Sequence, residues 1–231
     1  MSFVVPYMLD YSSEAHEIEI DSTSTLTNVQ MVENIVDEYH ETHSYSEQDF
    51  FVCADMAIDV WNMVKTQGIN AQIVVGNIDN QNANFTDYNH AWVLAETEPS
   101  QWIAIETTGG YLVYVESVEG DTVIKNDAYY HGIFFDNPLE FKQYMDLIKQ
   151  YNFQTEDIII IENGYNICVI EYEILRNEYN SLSGEERLSS DGFYKRDSVS
   201  QKLGECNTLA SNLENEMISL TNIVTKINEI I

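Results

Sequence analysis

The chain has 231 residues, 44% of them hydrophobic and 12% aromatic, and its 39 acidic against 10 basic residues give a formal charge of −29. That length holds one large domain or a domain with an appendage, and 15 Tyr and 9 Phe argue against a disordered chain. Such a charge repels phosphate backbones and anionic headgroups, so neither nucleic acid nor membrane is an expected partner.

No stretch approaches the ~18 apolar residues of a membrane span. The start, Met1 to Asp10, lacks the basic and long apolar regions of a secretory signal, so a cytoplasmic location is expected. Three cysteines, Cys53, Cys168 and Cys206, form neither an even framework nor a Cys-x-x-Cys pair. Reduced thiols are therefore expected.

Residues 1–20 read as an extended entry. Leu26, Val29, Val32, Ile35, Val36 and Tyr39 then predict an amphipathic helix over about 26–41. His40-Glu41-Thr42-His43 lacks the His-Glu-x-x-His spacing, so its histidines read as surface residues and no metal is expected. From Cys53, the positions Met56, Ala57, Val60, Trp61 and Val64 repeat at helical spacing, and Gly68 ends the pattern. Cys53 thus falls in the first turn of a helix, where unpaired N–H groups and the helix dipole favour a thiolate.

Ala71–Val75 is a buried strand, and the Asn-rich loop Asp79–Tyr88 leads to His90. Two alternating runs follow, Asn89-His90-Ala91-Trp92-Val93-Leu94 and Trp102-Ile103-Ala104-Ile105-Glu106, separated by the turn signal Thr97-Glu98-Pro99-Ser100. The turn position predicts a hairpin in which Leu94 faces Trp102, Trp92 faces Ala104 and His90 faces Glu106. Opposed Cβ atoms lie roughly 4.5–5.5 Å apart, within reach of an imidazole–carboxylate hydrogen bond. Singly, each residue reads as structural: a Cys as a small buried hydrophobe, a His or Glu as a strand-end residue. Together, a thiol at a helix start and an imidazole and carboxylate on paired strands supply nucleophile, base and orienter.

Tyr111–Val115 and Thr122–Lys125 suggest further strands. Tyr129-Tyr130-His131-Gly132-Ile133-Phe134-Phe135 is an aromatic run, read as buried packing before a groove wall. Pro138–Tyr151 reads as a helix, Glu162-Asn163-Gly164 as a turn, and Cys168, Tyr172, Leu175, Tyr179 and Leu182 as a shorter helix. From Val199 through Leu203, Cys206, Ala210, Leu213, Met217, Leu220, Val224 and Ile227 to Ile231, apolar or small residues alternate steps of four and three. That seam has to be covered, and the shorter helix offers cover for about half of it. Met217 to Ile231 is therefore expected to pack on the catalytic domain or on a second copy, with a homodimer through the C-terminal helix the favoured form.

In Cys53-Ala-Asp-Met-Ala, Gly68-Ile-Asn-Ala-Gln-Ile-Val-Val-Gly76, Asn89-His-Ala-Trp-Val93 and Trp102-Ile-Ala-Ile-Glu-Thr-Thr108 the chain resembles the transglutaminase-like superfamily over roughly residues 45–110. The resemblance implies an α+β fold with a papain-like core, a helix packed on an antiparallel sheet, over residues 1–163. Residues 164–231 would then be a helical, coiled-coil-like extension. It implies Cys53 as nucleophile, His90 as base and Glu106 as orienting acid, where that superfamily usually has Asp. By analogy with papain-like sites Gln48 is the obvious second oxyanion donor, beside the N–H groups of the Cys53 helix. The expected activity is a cysteine hydrolase acting on an amide or isopeptide bond of a peptide or protein, without a cofactor. The alternative is an inactive scaffold that binds partners or self-associates through its C-terminal helices.

Overall fold

The computed structural model describes residues 26–43, 50–119 and 122–231; the N-terminal entry over 1–20 and Gln48 lie outside them. Helix α1 (Asn28–Thr42) opens on a capping box. The Thr27 side chain accepts from the Gln30 N–H at 3.3 Å, and the Gln30 side chain accepts from the Thr27 N–H at 3.0 Å. Its apolar stripe, Val32, Ile35, Val36 and Tyr39, is buried at the spacing read from the sequence. Helix α2 (Phe50–Thr66) buries Cys53, Ala57, Val60 and Val64. Just beyond it Gly68 takes φ 77°, a left-handed conformation that other residues adopt with strain. The Trp61 indole donates to the Ala71 carbonyl at 2.9 Å and ties α2 to the first strand.

The chain then lays down β1 (Asn70–Gly76), β2 (His90–Glu98), β3 (Gln101–Glu106) and β4 (Tyr111–Val113). A separate hairpin follows, β5 (Glu116–Glu119) with β6 (Thr122–Lys125), and then β7 (Ile133–Phe135). The main sheet has the order β4-β3-β2-β1-β7 and is antiparallel throughout. Successive residues point to opposite faces. Ala91, Val93, Ala95, Ile103 and Ile105 join the helices in the main core. Trp92, Leu94 and Ala104, with Val74 and Val113, form a smaller cluster against Trp102, Tyr129 and Tyr130. Both faces of β2 are covered, which accounts for its almost unbroken apolar run. The molecule is therefore α+β, with helices packed on an antiparallel sheet.

The β2–β3 register differs from expectation by two residues. Strand β2 continues to Glu98 with an irregularity between Glu96 and Glu98, and the reversal is confined to Pro99 and Ser100, the latter at φ 64°. Leu94 therefore pairs with Ala104 and Glu96 with Trp102. A shift of two keeps every side chain on its expected face, whereas a shift of one would have inverted them all.

Helix α3 (Pro138–Asn180) is 43 residues long, with Asn137 capping the N–H groups of Leu139 and Glu140 at 3.0 Å each. A short α4 (Gly184–Arg187) leads to α5 (Ser190–Ile230), 41 residues long. The expected turn at Glu162-Asn163-Gly164 is not there: α3 runs straight through it, and through the boundary expected between residues 163 and 164. A helical Gly costs roughly 1 kcal/mol against Ala, a penalty that a 43-residue helix tolerates at Gly164.

The two long helices are antiparallel, since Gln154 bonds Ser219, Glu171 bonds Lys202, and Cys168 bonds Cys206. The longer α3 runs beside α5 and the seam is covered in part: Cys206 is buried, Leu203, Met217 and Ile231 stay exposed, and the distal Ile223 and Ile227 are buried in the main core with Phe141, Tyr144 and Ile148. Within Met217–Ile231, Ile223 and Ile227 thus pack on the chain's own core, while Met217, Ile218 and Ile231 are each more than half exposed.

Cys168 and Cys206 form a disulfide, their Cα atoms 5.6 Å apart across a sequence separation of 38. This corrects the expectation of reduced thiols: the pair is visible only once the helices are set in register. Disulfides of this kind persist in oxidising compartments. Among the described residues no helix is long and apolar enough to cross a membrane.

Candidate active site

Cys53, outside the disulfide, lies in the first turn of α2 and is 3% exposed. His90 opens β2 opposite Gly76 of β1. Gly76 is needed here for space: a Cβ would stand 2.8 Å from the Trp92 ring and 3.0 Å from the His131 carbonyl. The Trp92 ring, fully buried, stacks near His90 with centroids 5.8 Å apart and planes 25° apart.

The imidazole Nε2 of His90 meets Glu106 Oε2 at 2.7 Å. Continuing the observed register sets Trp92 opposite Glu106 and leaves His90 on the diagonal. Diagonal neighbours are roughly 7–8 Å apart at the backbone, a gap that long side chains span. The predicted contact thus forms by a different route, and the extra methylene of Glu over Asp suits the longer reach. His90 also shares a hydrogen bond with Cys53. With Nε2 held by Glu106, Nδ1 is the ring nitrogen left for the thiol. The three predicted residues are brought into one connected set.

Glu106 is only 3% exposed and accepts four hydrogen bonds. Oε1 takes the Thr108 N–H at 3.1 Å and the Thr108 hydroxyl at 2.5 Å. Oε2 takes His90 and the Tyr129 hydroxyl, the latter at 2.9 Å. Burial opposes its charge, but the bond and charge of His90, followed by the bonds from Thr108 and Tyr129, prevail and bring its pKa down to about 2. For His90 burial again opposes charge, and hydrogen bonds to Cys53 and Glu106 with their charges outweigh it, raising the pKa to about 9. An imidazolium therefore faces the Glu106 carboxylate across the neutral range.

These shifts make stability depend on pH. Glu106 has its pKa lowered, so its contribution is complete above about pH 4.5 and is lost as pH falls towards 2. His90 has its pKa raised, so its contribution is complete below about pH 6.5 and is lost as pH rises through 9. The difference in melting temperature between the native chain and Glu106→Gln is expected to be widest between those limits, pH 4.5 to 6.5, and to narrow on both sides. Calorimetry across the range checks this, and a difference that does not vary with pH contradicts it.

Two members of the site were not legible in the sequence. Thr108 stands two residues beyond Glu106, a spacing at which a hydroxyl commonly makes a local bond, and that was the available signal. Tyr129 arrives from a 3-10 turn (Asp127–Tyr130) 23 residues downstream, inside an aromatic run read as packing. Burial, a hydrogen bond to Tyr111 and the Glu106 charge hold the Tyr129 hydroxyl protonated, its pKa well above the usual phenol range. His43, read as a surface residue, stacks on Tyr39 with centroids 4.1 Å apart. Among the described residues no group of three or more His, Cys, Asp or Glu is placed to hold a metal ion. Comparison of the chain with protein-family models, characterised proteins and solved structures finds no match.

Proposed function

We propose that this chain is a transglutaminase-like cysteine hydrolase with a papain-like core, cleaving an amide or isopeptide bond through Cys53, His90 and Glu106. The observation that carries the reading is His90, bound to a buried carboxylate at 2.7 Å through Nε2 and hydrogen-bonded to the Cys53 thiol. That is the nucleophile–base–orienter relation of a thiol enzyme. The position of Cys53 in the first turn of a helix packed on an antiparallel sheet supports it further.

The chemistry follows from these groups. In the resting site His90 already carries the proton given up by Cys53, as an imidazolium held by Glu106 and paired with the Cys53 thiolate. The thiolate attacks the carbonyl carbon; the C–S bond forms and the C=O electron pair moves to oxygen. N–H groups in the first turn of α2 lack intrahelical acceptors and are suited to that oxygen. When the C–N bond breaks, the imidazolium protonates the departing amine and a thioester remains on Cys53. Water, deprotonated by His90, then releases the acid, and sulfur leaves as the thiolate beside the imidazolium that has formed again. An amine in place of water would make the same enzyme a cross-linker; hydrolysis is the reading taken.

Cys53 offers little surface, so the test uses a small acyl donor. Incubation with p-nitrophenyl acetate without reductant, then peptide mapping, is expected to find one hydroxylamine-labile acetyl group on Cys53, with Cys168 and Cys206 still joined. Acetyl groups confined to lysines, with Cys53 unmodified in the folded protein, reject the reading.

A further inference from the structure

The Glu106 carboxylate has more holders than a strand-end acid needs, and they come from two directions. Thr108, next in the chain, pins Oε1 through its N–H and hydroxyl. Tyr129, from the 3-10 turn after β6, donates to Oε2, the same oxygen that faces His90. The backbone of that residue also acts on the site: its carbonyl accepts the Trp92 indole N–H at 2.8 Å. Trp92 stacks near His90, and the Tyr129 ring meets Trp92 edge-on with centroids 5.5 Å apart. One residue therefore braces both the acid and the aromatic ring beside the base.

We infer that Tyr129 is a positioning residue for the His90–Glu106 pair, fixing the carboxylate through its hydroxyl and the imidazole through Trp92. This rests on the proposed hydrolase reading. The hydroxyl aims one Oε2 lone pair, leaving the other for His90, and it draws negative charge away from that oxygen. The groups facing His90 are Cys53 from α2 and Glu106 from β3, with Trp92 on its own strand. Those facing Glu106 are His90, Thr108 and Tyr129, and Tyr111 of β4 bonds Tyr129 from the far side.

Tyr129→Phe keeps the ring contact with Trp92 and the main-chain bond, and removes only the hydroxyl. Glu106 Oε2 then has His90 as its sole donor and bears more charge towards it, so the imidazolium is held more tightly. The pKa of His90 is expected to move above its value of about 9. With a substrate, kcat should fall by about tenfold with KM unmoved, as for a group that acts on the reacting residues and not on the substrate.

The experiment is NMR titration of the His90 ring in the full chain, with the resonance assigned from His90→Gln, followed by the same titration of Tyr129→Phe. The titration is read whether or not the protein turns over a substrate. Failure of the hydrolase reading, in which Cys53 is never acylated, is thereby separated from failure of this one. An upward shift in a variant of native circular dichroism is the expected result. An unchanged His90 titration, or unchanged kcat where turnover is measured, overturns the assignment. If Tyr129→Phe does not fold, Tyr111→Phe, which loosens the hydroxyl from behind, is expected to shift His90 in the same direction by a smaller amount. No shift there overturns it as well.

Discussion

Replacing Cys53 with Ala is expected to abolish acyl-enzyme formation and to lower turnover by at least about 10⁴-fold. The size follows from what is lost. With no sulfur there is no thioester, and a single direct attack by water replaces two easier steps. The N–H groups of the α2 first turn and the binding surface remain, and they supply whatever rate survives. The substitution is mild for the fold. Cys53 lies on the buried face of α2 with Ala57 and Val60, and Ala is the best helix former. Circular dichroism should be native and the melting temperature within a few degrees. Turnover that survives in this variant would move the activity to another site.

Glu106→Gln is expected to lower kcat by about 10³–10⁴-fold in a folded protein. Gln has one oxygen where Glu106 uses two, and three kinds of donor converge on them. The Thr108 N–H and hydroxyl stand two residues away and cannot easily turn elsewhere, so the amide oxygen takes the Oε1 place. The amide NH₂ then faces His90 Nε2 and the Tyr129 hydroxyl. His90 has to accept through Nε2 and carry its proton on Nδ1, the nitrogen that faces Cys53. In that tautomer the ring cannot take the thiol proton, and the anion that stabilised the imidazolium is gone. Steady-state kinetics with a circular dichroism control check this. A Gln variant of native rate would assign Glu106 to the fold alone.

Much of the site could be read before the fold was known, because its parts depend on short-range periods. The 3.6-residue repeat from Cys53 to Val64 places the thiol in a first turn regardless of what the helix packs on. The two-residue repeat of β2 and β3 places His90 with Trp92, and Glu106 with Ala104, on one face. That parity is why the site survived a hairpin register two residues from the one expected. The register itself depended on where the chain reverses, and the irregularity at Glu96/Glu98 has no signature in residue types.

What only the tertiary structure decided shares one cause: it joins positions distant in sequence, whose proximity no local period encodes. Tyr129 reaches Glu106 because the turn after β6 folds back over the small cluster beneath Trp92. Cys168 meets Cys206 because two long helices lie antiparallel in one register, as the Gln154–Ser219 and Glu171–Lys202 bonds also mark. In the same way α3 continues through Glu162-Asn163-Gly164, where local preference favoured a turn, between a buried stretch at Phe141–Ile148 and the buried Cys168. By itself the sequence determined which residue types stand at helix starts and on strand faces, since backbone geometry repeats every few residues. The partners of those residues, and with them the electrostatics that charge His90 and Glu106, were set by long-range packing.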